Sequence, residues 1–191
     1  MSRVRRLLTL TALVASIFFP ACDSGADSDT PDGPIEQPEA KTFTNDEFGF
    51  TFRYPDYLEL GAATSIDKST PGEPVARQIL FIDEDNGIIV SRYDLDFAVT
   101  DENLDDVRDE FDGIVAELTG LDVTGRRTTV GGFAAFRYDN LDLAVPPDGV
   151  SDLAFLFDGR TEYQLNCQST PANRARVDDV CAMVFDTLEP A

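Results

Sequence analysis

Hydrophobic residues recur at two periods along this chain, and the order of the periods restricts the folds open to it. Within "TFTNDEFGFTFRY", Thr42 to Tyr54, Phe43 is followed by Phe48, Phe50, Phe52 and Tyr54 on alternate positions, with a turn at Asn45-Asp46-Glu47. A period of two belongs to a strand with one buried face. Pro55 ends that strand, and Gly61 to Pro74 reads as a loop rich in Ser, Thr, Gly and Pro. "VARQILFID" and "GIIVSRYDLDF" follow as two strands, joined by Asp83-Glu84-Asp85-Asn86-Gly87, whose Asn-Gly pair suits a hairpin turn.

From Thr100 the period changes. Leu104, Val107, Phe111, Ile114, Val115 and Leu118 recur at helical spacing, while Asp101, Asp105, Asp106, Asp109 and Glu110 take the outward face. Thr100 is the expected cap, the early acids suit a helix N-terminus, Gly113 is a weak point and Gly120 the expected stop. Three strand segments come next: "VTGRRTTVGG", "FAAFRYDNLDLAV" and "DLAFLFDGRTEYQLNCQS", the last broken into a hairpin at Asp158-Gly159. A second helix closes the chain, with Thr170 as cap, Pro171 in the first turn and Pro190 at the end. Val177, Val180, Cys181, Val184, Phe185 and Leu188 make its apolar stripe. Hairpin, two strands, helix, three or four strands and helix describe an α+β domain: an α/β sandwich of a mostly antiparallel sheet with two packed helices.

Ahead of that domain lie two segments with nothing to pack. Arg3, Arg5 and Arg6 precede thirteen uncharged residues, Leu7 to Phe19, long enough for a signal sequence and too short to span a bilayer. Asp23 to Ala40 is filled with Pro, Gly and acidic residues, a spacer composition. The expected organisation is therefore a signal peptide over 1–21, a disordered tether over 22–41 and one folded domain over 42–189.

Between signal and spacer, Phe19-Pro20-Ala21-Cys22 resembles the box of a bacterial lipoprotein leader. Ala21 and Cys22 fit it, whereas Phe19 and Pro20 depart from it. Cleavage after Ala26, with Ser24 two residues upstream, is the competing reading. The resemblance implies acylation at Cys22 and an exported domain held outside the cytoplasm on the cell membrane.

The domain itself resembles the Mog1/PsbP-like superfamily, whose members open on a short hairpin of aromatic and aliphatic residues ending in Tyr-Pro, as Tyr54-Pro55 does here. Gly132, Ala135 and Tyr138 match the Gly-x-x-Ala-x-x-Tyr strand of exported PsbP-like lipoproteins of the LpqN type. Tyr163, Leu165 and Cys167 match a later strand, and Cys181, Thr187 and Leu188 the closing helix. The resemblance spans roughly Thr42 to Leu188. It implies no enzyme activity and no cofactor; members are accessory subunits, GTPase-binding proteins or envelope proteins.

The residues themselves exclude several chemistries. There is no histidine to act as base, and no G-x-S-x-G motif. Cys167 and Cys181 could staple the last long strand to the last helix, contributing roughly 2–4 kcal/mol by loop closure, or remain two buried thiols. A zinc site is not expected from two cysteines at that spacing. Net charge is −21, which argues against nucleic acid; such a surface could attract a basic protein or a cation, against the plainer alternative that it keeps an envelope protein soluble. Asp83 and Asp85 offer hard oxygen ligands for a divalent cation, against the plain alternative of a solvated turn. Phe48, Phe50, Phe52, Tyr54 and Tyr57 are dense enough that some could line a groove. Asp101, Asp105 and Asp109 repel one another at i,i+4 spacing. Two functions follow: a membrane-tethered, non-catalytic envelope lipoprotein that binds an envelope protein, or an envelope protein that binds a small ligand or cation through surface carboxylates.

Overall fold

A computed structural model describes residues 39–61, 64–65, 74–143 and 148–191. The expected signal peptide, Cys22, and the tether up to residue 38 lie outside the described residues, as does most of the loop from Gly61 to Pro74.

β1 (Ala40–Phe43) and β2 (Phe50–Pro55) form the opening hairpin, with Phe43 opposite Phe52. The alternation puts Phe43, Phe48, Phe50, Phe52 and Tyr54 in the core, where the Phe43 and Phe52 rings stack at 4.6 Å. These rings are core; of the aromatic cluster only Tyr57 is exposed.

The main sheet begins with the short strands β3 (Glu59–Leu60) and β4 (Thr64–Ser65), both paired with β5 (Ala76–Phe81). β5 forms a hairpin with β6 (Gly87–Asp94). The chain then crosses one face of the sheet as α1 (Leu104–Thr119) and returns as a meander: β7 (Arg126–Val130), β8 (Phe133–Leu143), β9 (Gly149–Asp158) and β10 (Thr161–Ser169). β10 docks beside β6, so the antiparallel order is β3-β5-β6-β10-β9-β8-β7. After a 3₁₀ turn at Pro171–Asn173 come α2 (Arg174–Thr187) and β11 (Glu189–Pro190).

The fold is the expected α+β one, with a layering that the sequence pattern left open. Leu104, Val107, Phe111 and Val115 of α1 pack on Phe136, Tyr138, Leu153, Phe155 and Phe157 from one sheet face. The opposite face buries Ala135, Ala154, Leu156, Tyr163 and Leu165 beneath α2 and the small sheet. The two helices thus lie on opposite faces, and the molecule has three layers.

Several local expectations are corrected. Gly87 has no left-handed backbone, so the Asn-Gly pair is not the centre of a hairpin turn; Gly87 opens β6, where a Cβ would strike the Leu80 carbonyl. Asn103, not Thr100, precedes α1, and its carboxamide oxygen accepts from the Thr100 N–H at 2.8 Å. Thr170 begins the 3₁₀ turn and its hydroxyl bonds Asn86, so it caps neither turn nor helix with its side chain. Pro190 does not end α2: Leu188 is already extended, and Glu189–Pro190 pairs with Thr51 and Phe50 as a third strand of the small sheet. Gly120 stops α1 as expected, with φ 72°. The acids of α1 are not left to repel one another: Arg108 lies 3.4 Å from Asp105 and 3.1 Å from Asp109, and Arg127 lies 3.0 Å from Asp101.

Gly131 and Gly132, with φ 57° and 85°, make the two-residue β7–β8 turn that such backbone favours. A Cβ on Gly131 would also lie 2.5 Å from the Leu188 carbonyl oxygen, whereas Gly132 faces open space. Gly131→Ala is therefore expected to destabilise by about 2–3 kcal/mol and Gly132→Ala by about 1 kcal/mol, as read by urea unfolding. Cys167 of β10 and Cys181 of α2 are disulfide-bonded with Cα atoms 6.2 Å apart. Replacing both by Ser should cost about 3 kcal/mol in the same assay.

Tyr138 couples α1 to the sheet, its hydroxyl donating to Asp112 Oδ1 at 2.7 Å. Burial first, then that carboxylate, pushes its phenol pKa up; burial also raises Tyr93 and Tyr163. A folded pKa above the unfolded value of about 10 stabilises the fold fully below pH 10 and progressively less above it. Stability should thus fall as pH climbs past 10, and fall less steeply in Tyr138→Phe, measured by denaturant unfolding from pH 8 to pH 11.5.

Candidate functional site

The turn after β2, the strand β3 and the β5–β6 loop together border an open cleft of about 380 Å³. Tyr57, Glu59, Phe81, Ile82, Asp83 and Glu84 line it. Glu59 is placed by its pairing opposite Phe81, and Leu60 by pairing opposite Leu80.

One buried polar side chain fixes the loop wall. Asn86, 4% exposed, uses its carboxamide oxygen to accept from the Thr170 N–H at 2.6 Å and the Thr170 hydroxyl at 3.1 Å. Its Nδ2 donates to Asp83 Oδ1 at 2.7 Å. The Asn86 carbonyl accepts from the N–H groups of Ile82 and Asp83 at 2.9 and 3.2 Å. A buried carboxamide with its donor and acceptor both used holds the loop to the start of the second helix.

Asp83 therefore has a structural task. Its Oδ1 accepts from the Asp85 N–H at 3.0 Å as well as from Asn86, and its Oδ2 accepts from Asn173 Nδ2 at 3.2 Å. Asp85 is exposed and does not line the cleft. Among the described residues no group of three or more Asp, Glu, His or Cys side chains is arranged to hold a metal ion. The two residues expected to bind a cation are thus brought close, with the Asp83 oxygens already engaged in hydrogen bonds. An incoming cation would have to displace them.

Two residues enter the site that sequence reasoning did not assign to it. Arg176, on the exposed side of α2, lays its guanidinium over the Tyr57 ring, 4.3 Å from the centroid. Tyr57 and Arg176 are far apart in the sequence, and only the packing of β2 against α2 joins them. Asn86 gave a signal in the Asn-Gly pair, which turns out to serve burial and not a turn.

A second acidic surface lies across the sheet on α1. Partial burial, then Asp106 and Asp96, raises the Glu110 pKa. Cys22 lies outside the described residues. Cys167 and Cys181 hold the β10–α2 corner just beyond the cleft's pinned loop.

The first described residues lie beside this cleft. The Glu39 carbonyl accepts from the Asp56 N–H at 2.8 Å, one residue before Tyr57, and Lys41 Nζ reaches the Asp56 carbonyl at 2.8 Å. No helix among the described residues is long and apolar enough to cross a membrane.

No protein-family model and no curated protein matches the sequence. Solved structures do. The chain is similar to cyanobacterial PsbP (CyanoP) from Synechocystis sp. PCC 6803, at 13% identity and a TM-score of 0.54 over 83% of this chain and 96% of that one. It is also similar to LpqN, involved in cell envelope biogenesis of Mycobacterium tuberculosis, at 14% identity and a TM-score of 0.45, covering 79% of this chain and 90% of that one. A protein from Bacteroides thetaiotaomicron matches at 10% identity and a TM-score of 0.49, over 79% of this chain and 48% of that one. This chain adopts the PsbP-like fold.

Proposed function

We propose that this protein is a membrane-tethered, non-catalytic envelope lipoprotein: a PsbP-like domain held outside the cytoplasm by lipid on Cys22, serving as an accessory or protein-interaction domain. The observation that carries the reading is the order of segments along the chain. β1 starts at Ala40, directly behind a Pro- and acid-rich spacer that follows the uncharged run and Cys22. A folded domain behind such a spacer is the arrangement a lipid anchor needs, because the spacer lets the domain reach beyond the headgroups. The domain's face supports binding more than reaction: an open cleft with an aromatic wall and carboxylates, and a second acidic surface on α1. The superfamily that the sequence resembles implies accessory roles in the same direction.

The test is the mass of the N-terminal peptide of protein taken from the cell envelope, beside a Cys22→Ser chain. The expected result is a peptide beginning at an acylated Cys22, with Cys22→Ser protein released from the membrane fraction. An unmodified chain beginning at Asp27 would overturn the tether.

A further inference from the structure

The cleft beside Tyr57 has a chemistry specific enough to name what it takes, and naming it rests on the interaction-domain reading above. Its wall is apolar. Tyr57 is 39% exposed, Phe81 and Ile82 are half-buried, and Leu60, 49% exposed, lies next to Glu59 on the same short strand. Glu59 and Glu84 also line it, both exposed, and their carboxylates have no hydrogen-bond or ion-pair partner among the described residues. An aromatic face attracts a cation through its quadrupole, and nearby carboxylates attract the same charge. The aliphatic stem of such a cation covers apolar surface while its head stays in water.

The chain displays the fit on itself. Arg176 stacks on Tyr57 at 4.3 Å and makes no ion pair among the described residues, so the ring is what receives it. That contact identifies a guanidinium, planar and weakly hydrated, as the group that suits this surface. The occupant must also carry positive charge toward a chain of net charge −21, which favours encounter with a basic partner.

We propose that the cleft docks an arginine-bearing, leucine-like segment of a protein partner, its guanidinium replacing Arg176 over Tyr57 between Glu59 and Glu84. Arg176 then acts as an intramolecular occupant that an incoming arginine displaces. Because Tyr57 follows the point where the tether joins the domain, the docked segment lies at the tether's root.

The experiment titrates the full chain, purified in detergent, with a blocked (Leu-Arg)4 peptide in a calorimeter; (Leu-Glu)4 and calcium chloride serve as comparison probes. The arginine peptide is expected to bind. Tyr57→Ala, and separately Glu59→Gln with Glu84→Gln, should each weaken it about three- to tenfold. Arg176→Ala, which vacates the ring, should tighten it. Asp105→Asn with Asp106→Asn removes the same charge from the opposite side of the sheet and should leave it unchanged. Equal losses from the α1 pair would reduce the binding to diffuse attraction and overturn the proposal. Binding indifferent to Tyr57→Ala, binding of calcium alone, or no binding of the peptide would also overturn it. The Cys22→Ser chain should bind the peptide as the parent does, so a failure of the cleft is read separately from a failure of the tether.

Discussion

A strand such as β9 cannot be stable with either side in water. Leu153, Phe155 and Phe157 project to one face and Ala154 and Leu156 to the other, and all five are buried. The sheet therefore needs a cover on each face, and the rest of the architecture supplies the two covers. α1 closes one side with four apolar residues. The other side is too broad for α2 alone, and the opening hairpin completes it with a layer of aromatic rings. Phe50 meets Tyr163 edge-on at 4.9 Å, and the Tyr163 hydroxyl accepts from the Gly49 N–H at 3.2 Å. Full burial of a side chain of this size stabilises by about 2–3 kcal/mol, so the hairpin's rings are a large part of what keeps the three layers together.

Much of this was legible before any coordinates. Alternation at Phe48 to Tyr54 and the helical stripes from Leu104 and from Val177 each report a local requirement, and local requirements are written in adjacent residues. What could not be read is long-range. Nothing near Glu189 signals that it will pair with Thr51, because two residues have no period and the partner is far away. The helix starts were misplaced for a related reason: Thr100 and Thr170 have capping side chains, but Asn103 and Asn86 claim their polar groups. The site was partly legible. Asp83 was singled out for its oxygens, and they accept hydrogen bonds from Asn86, Asp85 and Asn173.

The cleft depends on the same corner that closes the fold. β10 ends at Ser169, and within a few residues the chain provides Cys167 to α2, Thr170 to Asn86 and Asn173 to Asp83. A disulfide and a buried carboxamide network thus act on one junction from its two sides. They keep the β5–β6 loop at a fixed distance from the turn bearing Tyr57, so the cleft walls inherit the rigidity of the core. A binding surface held this way loses little conformational freedom when it is occupied.

The pairing of the last strand with the second has a consequence for the order of events as the chain is made. A polypeptide emerges from the ribosome N-terminus first, so the aromatic hairpin is complete long before α2 and β11 exist. β6 likewise waits for β10 before its second edge is paired. Contacts separated so widely in sequence form late and slowly. The early hairpin and its rings therefore spend synthesis without their cover, and the nascent chain stays pliable until its final residues arrive. Only then does it become a rigid body.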